Sequence, residues 1–263
     1  MRRMLVLGIA AAGVIGWSTG VRARPAERVV DLTHAFDETT IYWPTEDGFR
    51  LETRFRGHTE HGYFYAANRF CAPEHGGTHL DAPLHFYEGG ASAEAIPVER
   101  LVGPGVVVDV TRASAANPTH AIGIADLEAH ERRHGRIPRG AIVLLHTGFG
   151  AFWPDRARYL GTGERGPAAV AKLRFPGLDP AAAAWIATER SIDAIGIDTA
   201  SIDPGTSTTF ASHVRLFEKG IPAFENVASL ERLPAEGFTI VALPMKIRGG
   251  SGGPLRIVAL LGR

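Results

Sequence analysis

The sequence predicts an α/β protein built as one mixed-sheet domain, and three patterns carry that expectation. Residues 105–110 (GVVVDV) and 141–148 (AIVLLHTG) are continuous apolar runs, the signature of strands covered on both faces. Helical patterns alternate with them. Residues 124–134 place Asp126 in a first turn, and the alanine-rich residues 180–190 open on Pro180. Residues 194–198 (AIGID) and 238–247 (FTIVALPMKI) add two buried strands, and residues 255–261 close the chain with a last one. The first third is mostly β: residues 28–33 (RVVDLT) read as a short strand, and residues 50–56 and 63–70 alternate like half-buried strands. No repeat and no long polar linker divides residues 24–263, so one domain is expected there. The glycine-rich stretch GGSGG at 249–253 lies between two strands and reads as a turn or an active-site lid.

Composition narrows the function. A chain of 263 residues that is 45% hydrophobic and 21% charged is neither a disordered tail, a disulfide miniprotein nor a polytopic membrane protein. Lys plus Arg equals Asp plus Glu at 28 each, so there is no basic excess to bind nucleic acid or an anionic membrane. Eleven histidines stand against one cysteine, so any metal chemistry falls to imidazole and carboxylate. Residues 1–23 have the layout of a signal peptide, with Arg2 and Arg3, an apolar run shorter than a membrane span, and a small-x-small end at residues 21–23. Its removal leaves 25 basic against 28 acidic residues in an exported, periplasmic or secreted protein. Cys71 cannot pair within such a chain and is expected to be buried as a small apolar residue.

The chemistry concentrates in EHGGTHLDAPLHF, residues 74–86, which place His75, His79, Asp81 and His85 within eleven positions. A spacing of two puts His79 and Asp81 on one face of an extended chain. Gly76 and Gly77 let the backbone curl so that His75 converges on them. Three ligands can then face one divalent cation, zinc or manganese among the candidates. Pro83 holds Ala82 extended and ends the turn, so His85 lies near the cation without being an obvious ligand. Downstream, His213, Glu218 and Glu225 read by spacing alone as an ordinary helix surface. Glu225, however, sits in the apolar context IPAFENVASL, and a carboxylate there needs a partner. Asp198, Ser201 and Asp203 read as a turn after a strand. Tyr63, Phe64, Tyr65 and Phe70 read as strand packing, and so does Phe86.

These residues resemble the cyclase family of metal-dependent hydrolases, which includes bacterial kynurenine formamidases and isatin hydrolases. The resemblance rests on an HxGTHxDxPxH segment, here His75, Gly77, Thr78, His79, Asp81, Pro83 and His85, and on His213 with Glu225 twelve residues later. The early DLTHAFDETTIYWP, the stretch GIDTASID and the closing ALPMKIRGGSGGPLR are also similar. The resemblance implies a swivelling β/β/α fold and a homo-oligomer. It also implies a cation held by His75, His79 and Asp81, with Asp81, His213 and Glu225 holding a second in formamidase-like members. His85 then matches the family's proton donor and acceptor, and Trp43 lies against the substrate's aromatic ring.

On this reading the chain is an exported amidohydrolase that uses metal-activated water on a small aryl amide or lactam, with isatin opened to isatinate. Deformylation of N-formylkynurenine is the alternative within the class, and a periplasmic metal-binding protein without turnover is the alternative outside it. No Gly-x-Ser-x-Gly elbow occurs, and Cys71 lacks a catalytic context, which disfavours covalent acyl transfer.

Overall fold

The structure is a computed structural model that describes residues 28–262. Twelve strands follow in order: β1 (Arg28–Asp31), β2 (Arg50–His58), β3 (Phe64–Cys71), β4 (His79–Asp81), β5 (Val102–Asp109), β6 (Ala121–Ile122), β7 (Ile142–His146), β8 (Gly177–Leu178), β9 (Ala194–Ile197), β10 (Ala223–Glu225), β11 (Phe238–Pro244) and β12 (Gly252–Leu261). Eight of them form one mixed sheet in the order β1-β12-β11-β5-β7-β9-β10-β4, and β4 pairs again with β12. The ten-residue β12 makes that closure possible. One of its edges is filled by β11, and the other is shared between β1 near Leu261 and β4 near Gly252. The sheet therefore curls into a barrel-like circuit in a single mixed α/β domain.

The apolar runs explain the layers. In β5, β7 and β9, which pair in parallel, Val106, Val108, Val143, Leu145, Ile195 and Ile197 face outward. They pack under Leu127 of the helix Ile124–His134, Ala182 and Ala183 of the helix Pro180–Trp185, and Leu216 and Phe217 of the helix Ala211–Phe217. The alternate residues Val107, Ile142, Leu144 and Ala194 face the barrel interior with Leu80, Phe224, Ile240 and Ile257. Each Val, Leu, Ile or Phe among them contributes about 1.5–3 kcal/mol by leaving water, so both faces of the central strands must be apolar. The helical pattern at 180–190 continues past Trp185 as a π-turn over Ile186–Arg190.

Three sequence expectations are corrected. Residues 50–56 and 63–70 do form strands, but β2 and β3 pair only with each other among the described residues, and both faces are largely exposed, with Phe49 stacked on Phe70 near the root. Alternation showed that the two faces differ, not that one is buried. Cys71 ends β3 and is exposed for the same reason, not buried. Tyr63, Phe64, Tyr65 and Phe70 are likewise 50–58% exposed instead of packed in strands.

Away from the barrel, His130 of the helix Ile124–His134 is buried, and burial, then the nearby His134 and Arg133, push its pKa down to about 4. The unfolded chain takes up that proton near pH ~6.5, whereas the folded chain refuses it until about pH 4. The resulting stability is complete above pH ~6.5 and is lost as pH falls from there. Urea midpoints measured at pH 7.5 and pH 5 should drop, and the drop should shrink in His130→Leu.

Candidate active site

β4 is only three residues long, yet it sets the site. His79 and Asp81 point to one face and Leu80 to the barrel interior, as a period of two requires. Its neighbour β10 is antiparallel with Glu225 directly opposite His79, so that carboxylate is on the same face. On the other side Gly252 of β12 lies opposite Asp81. A Cβ on Gly252 would fall 2.5 Å from the Leu80 carbonyl oxygen and 2.6 Å from the His75 ring, so only glycine lets β12 close on β4 here. The GGSGG stretch turns at Gly249 and then enters β12, tied down by Ser251, and it is not a lid. His75 reaches the same face through the turn before β4. Gly76 has φ +152°, and a Cβ on it would strike the Tyr42 ring at 2.0 Å.

His213 comes from the start of the helix Ala211–Phe217. Asp203, read from sequence as part of a turn, turns out to hold that helix. Its carboxylate accepts from the Ser212 and His213 amides at 3.0 and 3.1 Å and from His213 Nδ1 at 2.6 Å. The signal that could have found it is an aspartate ten residues before a histidine at a helix start. Asp198 does something else: it accepts from Thr147 and the Gly148 amide and fixes the loop after β7. Glu218 is on the surface beside Arg215, 3.5 Å away, outside the cluster.

The result is a buried cluster of mutual contacts. Asp81 lies 2.6 Å from His75 Nδ1, 3.1 Å from His79 Nε2 and 3.1 Å from His213 Nε2. Glu225 lies 3.0 Å from His213 Nε2 and 3.5 Å from His79 Nε2, and accepts from the Ile202 amide at 2.8 Å. Each imidazole is fixed from behind. His79 Nδ1 donates to the Gly77 carbonyl at 2.9 Å, which Asn226 also engages at 2.7 Å, and the Tyr159 hydroxyl donates to Asn226 at 2.8 Å. His75 Nε2 lies 2.8 Å from Ser251 Oγ, which donates to Glu74 at 2.7 Å.

Charge follows from this crowding. Burial alone would depress His213, but Asp203, Asp81 and Glu225 outweigh it and hold the ring well above the usual histidine range. Burial opposes ionisation of Asp81, yet His75 and His79 pull its carboxyl well below the usual range. Burial and then Asp81 push Glu225 up. His79 is raised to about 9 against its own burial by Asp81 and Glu225. The carboxylates thus favour positive charge among them, carried here by the His79 and His213 rings, and a bound cation would take that place. His79 Nε2 is buried and has no hydrogen-bond partner despite two carboxylates nearby. Two groups can hold a metal ion, His75 with His79 and Asp81, and Asp81 with His213 and Glu225, their candidate atoms all within 4.8 Å of one another in each group. Imidazole and carboxylate donors match zinc or manganese, so these residues fit the metal that the sequence implied.

Above the cluster opens a cavity of about 400 Å³. Trp43, Phe86 and Phe210 form an aromatic wall, with Phe86 stacked 4.9 Å from Phe210 and Trp43 6.0 Å from it. Sequence reasoning singled out only Trp43. Phe86 reads from sequence as packing, and it does pack against the outer core cluster while also lining the cavity; Phe210 precedes a helix whose position only the fold reveals. His85 stands at the edge, stacked 3.7 Å from His75, and burial lowers its pKa to about 4.

A mixed α/β barrel with a buried histidine–carboxylate cluster under an open cavity has the layout of a metal-dependent enzyme, with a place for an ion and a place for a substrate. The cyclase family model matches residues 30–204, and the chain belongs to that family. An isatin hydrolase from Roseibium aggregatum is 31% identical over 208 residues, 76% of each chain. A kynurenine formamidase from Salinibacter ruber is 30% identical over 236 residues, 88% of this chain and 96% of the relative. Among solved structures, isatin hydrolase A from Ralstonia solanacearum superposes with a TM-score of 0.80 at 32% identity, covering 89% of this chain and 92% of the other.

Asp203→Asn should leave the fold intact while weakening metal binding by about 10–100-fold, since the carboxylate orients His213. Calorimetric titration of metal into the variant checks this, and an unchanged affinity refutes it.

Proposed function

We propose that the chain opens isatin to isatinate by hydrolysis, as an exported enzyme freed of residues 1–23 and working in the periplasm or outside the cell. His75, His79 and Asp81 would hold one Mn or Zn ion, and Asp81, His213 and Glu225 a second where two are taken up. We further propose that it works as a homo-oligomer. The observation that carries the reading is the convergence of four buried side chains, His79, Asp81, His213 and Glu225, on the floor of a cavity with an aromatic wall.

A bound divalent cation makes water acidic enough to ionise near neutral pH and polarises a carbonyl oxygen. The rest falls to this chain. Trp43, Phe86 and Phe210 offer rings against which a flat bicyclic lactam can stack, at a spacing typical of aromatic pairs. Hydrolysis forms a C–O bond to the lactam carbon, breaks the C–N bond and delivers one proton to the departing nitrogen. His85 is the residue for that proton. It lies at the cavity edge beside His75, and its ring nitrogens make no hydrogen bond to the described residues, so one can take a proton from water and return it to nitrogen. Tyr42, whose hydroxyl is pushed up to about 12 by burial, stays protonated and does not compete as a base.

His85→Ala should retain metal and lose about 10²–10⁴ in kcat. A protein that only binds metal would show no turnover to lose. With full metal loading, the wild-type protein should open isatin faster than it deformylates N-formylkynurenine. Assays of both on the same preparation check the order. Faster deformylation would move the chain to the formamidase branch, and absence of both would remove the substrate assignment.

A further inference from the structure

The chain carries a second histidine constellation that the hydrolytic site does not use. Residues 130–134 read HERRH, the H-E-x-x-H pattern in which two imidazoles four residues apart share one face of a helix and can grip a zinc-type ion. A motif of three fixed letters recurs by chance, so its surroundings have to decide. The motif is helical throughout, at the end of the helix Ile124–His134, and the His130 and His134 rings lie 4.9 Å apart. His130 is 1% exposed, and its Nε2 is buried without a hydrogen-bond partner, a state that native structures rarely leave without a purpose. Glu236 Oε1 lies 3.8 Å from that nitrogen, too far for a hydrogen bond. Two zinc bonds of about 2.0–2.1 Å at a tetrahedral angle set their donor atoms about 3.4 Å apart, so the gap is close to what an ion spans.

Both rings line a cavity of about 460 Å³ at the carboxyl ends of β5 and β7, where Asp109 and His146 stand opposite each other. Sheets with parallel strands receive ligands at such ends. Asp109 and Glu231 in the lining, with Glu236 beside it, outnumber Arg133, the guanidinium among the lining residues, so the charge suits a cation. Burial, then His134 and Arg133, keep the His130 ring neutral at pH 7, with a nitrogen lone pair available to a metal. Glu131 decides what the site does not do. In zinc proteases with this pattern the glutamate is the general base. Here Arg190 engages both its oxygens, at 2.6 and 2.8 Å, and the Ile137 amide donates to it at 2.9 Å, so it is committed to the fold.

We propose that His130 and His134, closed by Glu236, form a further metal site for one zinc-type divalent cation, separate from the cavity above β4 and without hydrolytic function. It is not drawn tight as the two active-site groups are: His134 is exposed and Glu236 half-buried, and turning these two side chains closes the site on the fixed His130 ring. The ion would tie the end of the helix to the loop that leads into β11. None of this depends on the substrate proposed above.

Untagged full-length protein dialysed against zinc should hold, by elemental analysis, one zinc per chain more than His134→Ala. Turnover at the catalytic centre should be the same in both, since His134 lies outside it. A chain bearing His79→Ala and Asp81→Asn, which strips the catalytic ligands, should still bind one zinc in a calorimetric titration. Adding His134→Ala to that chain should weaken the binding by about 100-fold or more, beyond the loss of an outer-shell partner, and adding Glu236→Gln should weaken it by at least about tenfold. Equal zinc content in wild type and His134→Ala overturns the site, a comparison that stands even if the catalytic-ligand variant misfolds. A folded catalytic-ligand variant that binds no zinc overturns it as well. Weakening by His134→Ala but not by Glu236→Gln overturns Glu236 as the closing ligand.

Discussion

Asp81 presents a buried carboxylate to three imidazoles at once, those of His75, His79 and His213, with contacts of 2.6 to 3.1 Å. Taking such a charge from water costs several kcal/mol unless positive charge meets it. Much of the architecture supplies the means. The three residues of β4 are held on one side by β10 and on the other by β12, so the strand that closes the sheet is the strand that carries Asp81. His213 arrives from a helix laid over the outer face, and Glu225 from the strand beside it. Closure of the barrel and assembly of the cluster are one event, which is why a strand of three residues can be specified so tightly.

Orientation is secured from outside the cluster. The His213 ring is held by Asp203, the His75 ring by Ser251 and Glu74, and the His79 ring by the Gly77 carbonyl, itself engaged by Asn226. Each partner occupies the far nitrogen and leaves the near one facing the carboxylates. Histidine tautomers are set in this way wherever imidazole binds metal. The partners lie far apart in the chain, at residues 74, 203, 226 and 251, so the cluster also ties the loops of the barrel's rim to one another.

What the sequence made legible divides along a physical line. Local periodicity showed the covered strands at 105–110 and 141–148 and the shared face of His79 and Asp81, because period and burial are properties of a few neighbouring residues. His213 and Glu225 were not separable from an ordinary helix surface by spacing; an apolar context hinted at Glu225, and family resemblance gave the pair. Asp203 escaped because an aspartate in a turn and an aspartate capping a helix look alike until the helix is placed. Cys71 and the exposed aromatic residues were misplaced because alternation in β2 and β3 cannot reveal what, if anything, covers each face. Ser251 and Glu74 lie on opposite sides of the cluster in the chain, and only the pairing of β12 with β4 brings them together.

His85 differs from the other histidines of the site in a way that separates the two jobs an imidazole can do. A ligand is best held by a hydrogen bond at one nitrogen, which fixes the tautomer and commits the other nitrogen to the cation. A group that moves protons needs a ring fixed in place with at least one nitrogen free to gain and lose a proton beside the reacting atoms. The His85 ring is held by its faces and edges, 3.7 Å from His75 and 4.4 Å from Phe86, and by the short turn Pro83–His85 in which Pro83 fixes the backbone. Stacking restrains the plane without consuming a nitrogen. The same segment therefore builds two histidines pinned at one nitrogen from a strand and a glycine turn, and from a proline turn one histidine whose nitrogens have no hydrogen-bond partner among the described residues. The difference is written in the residues between them.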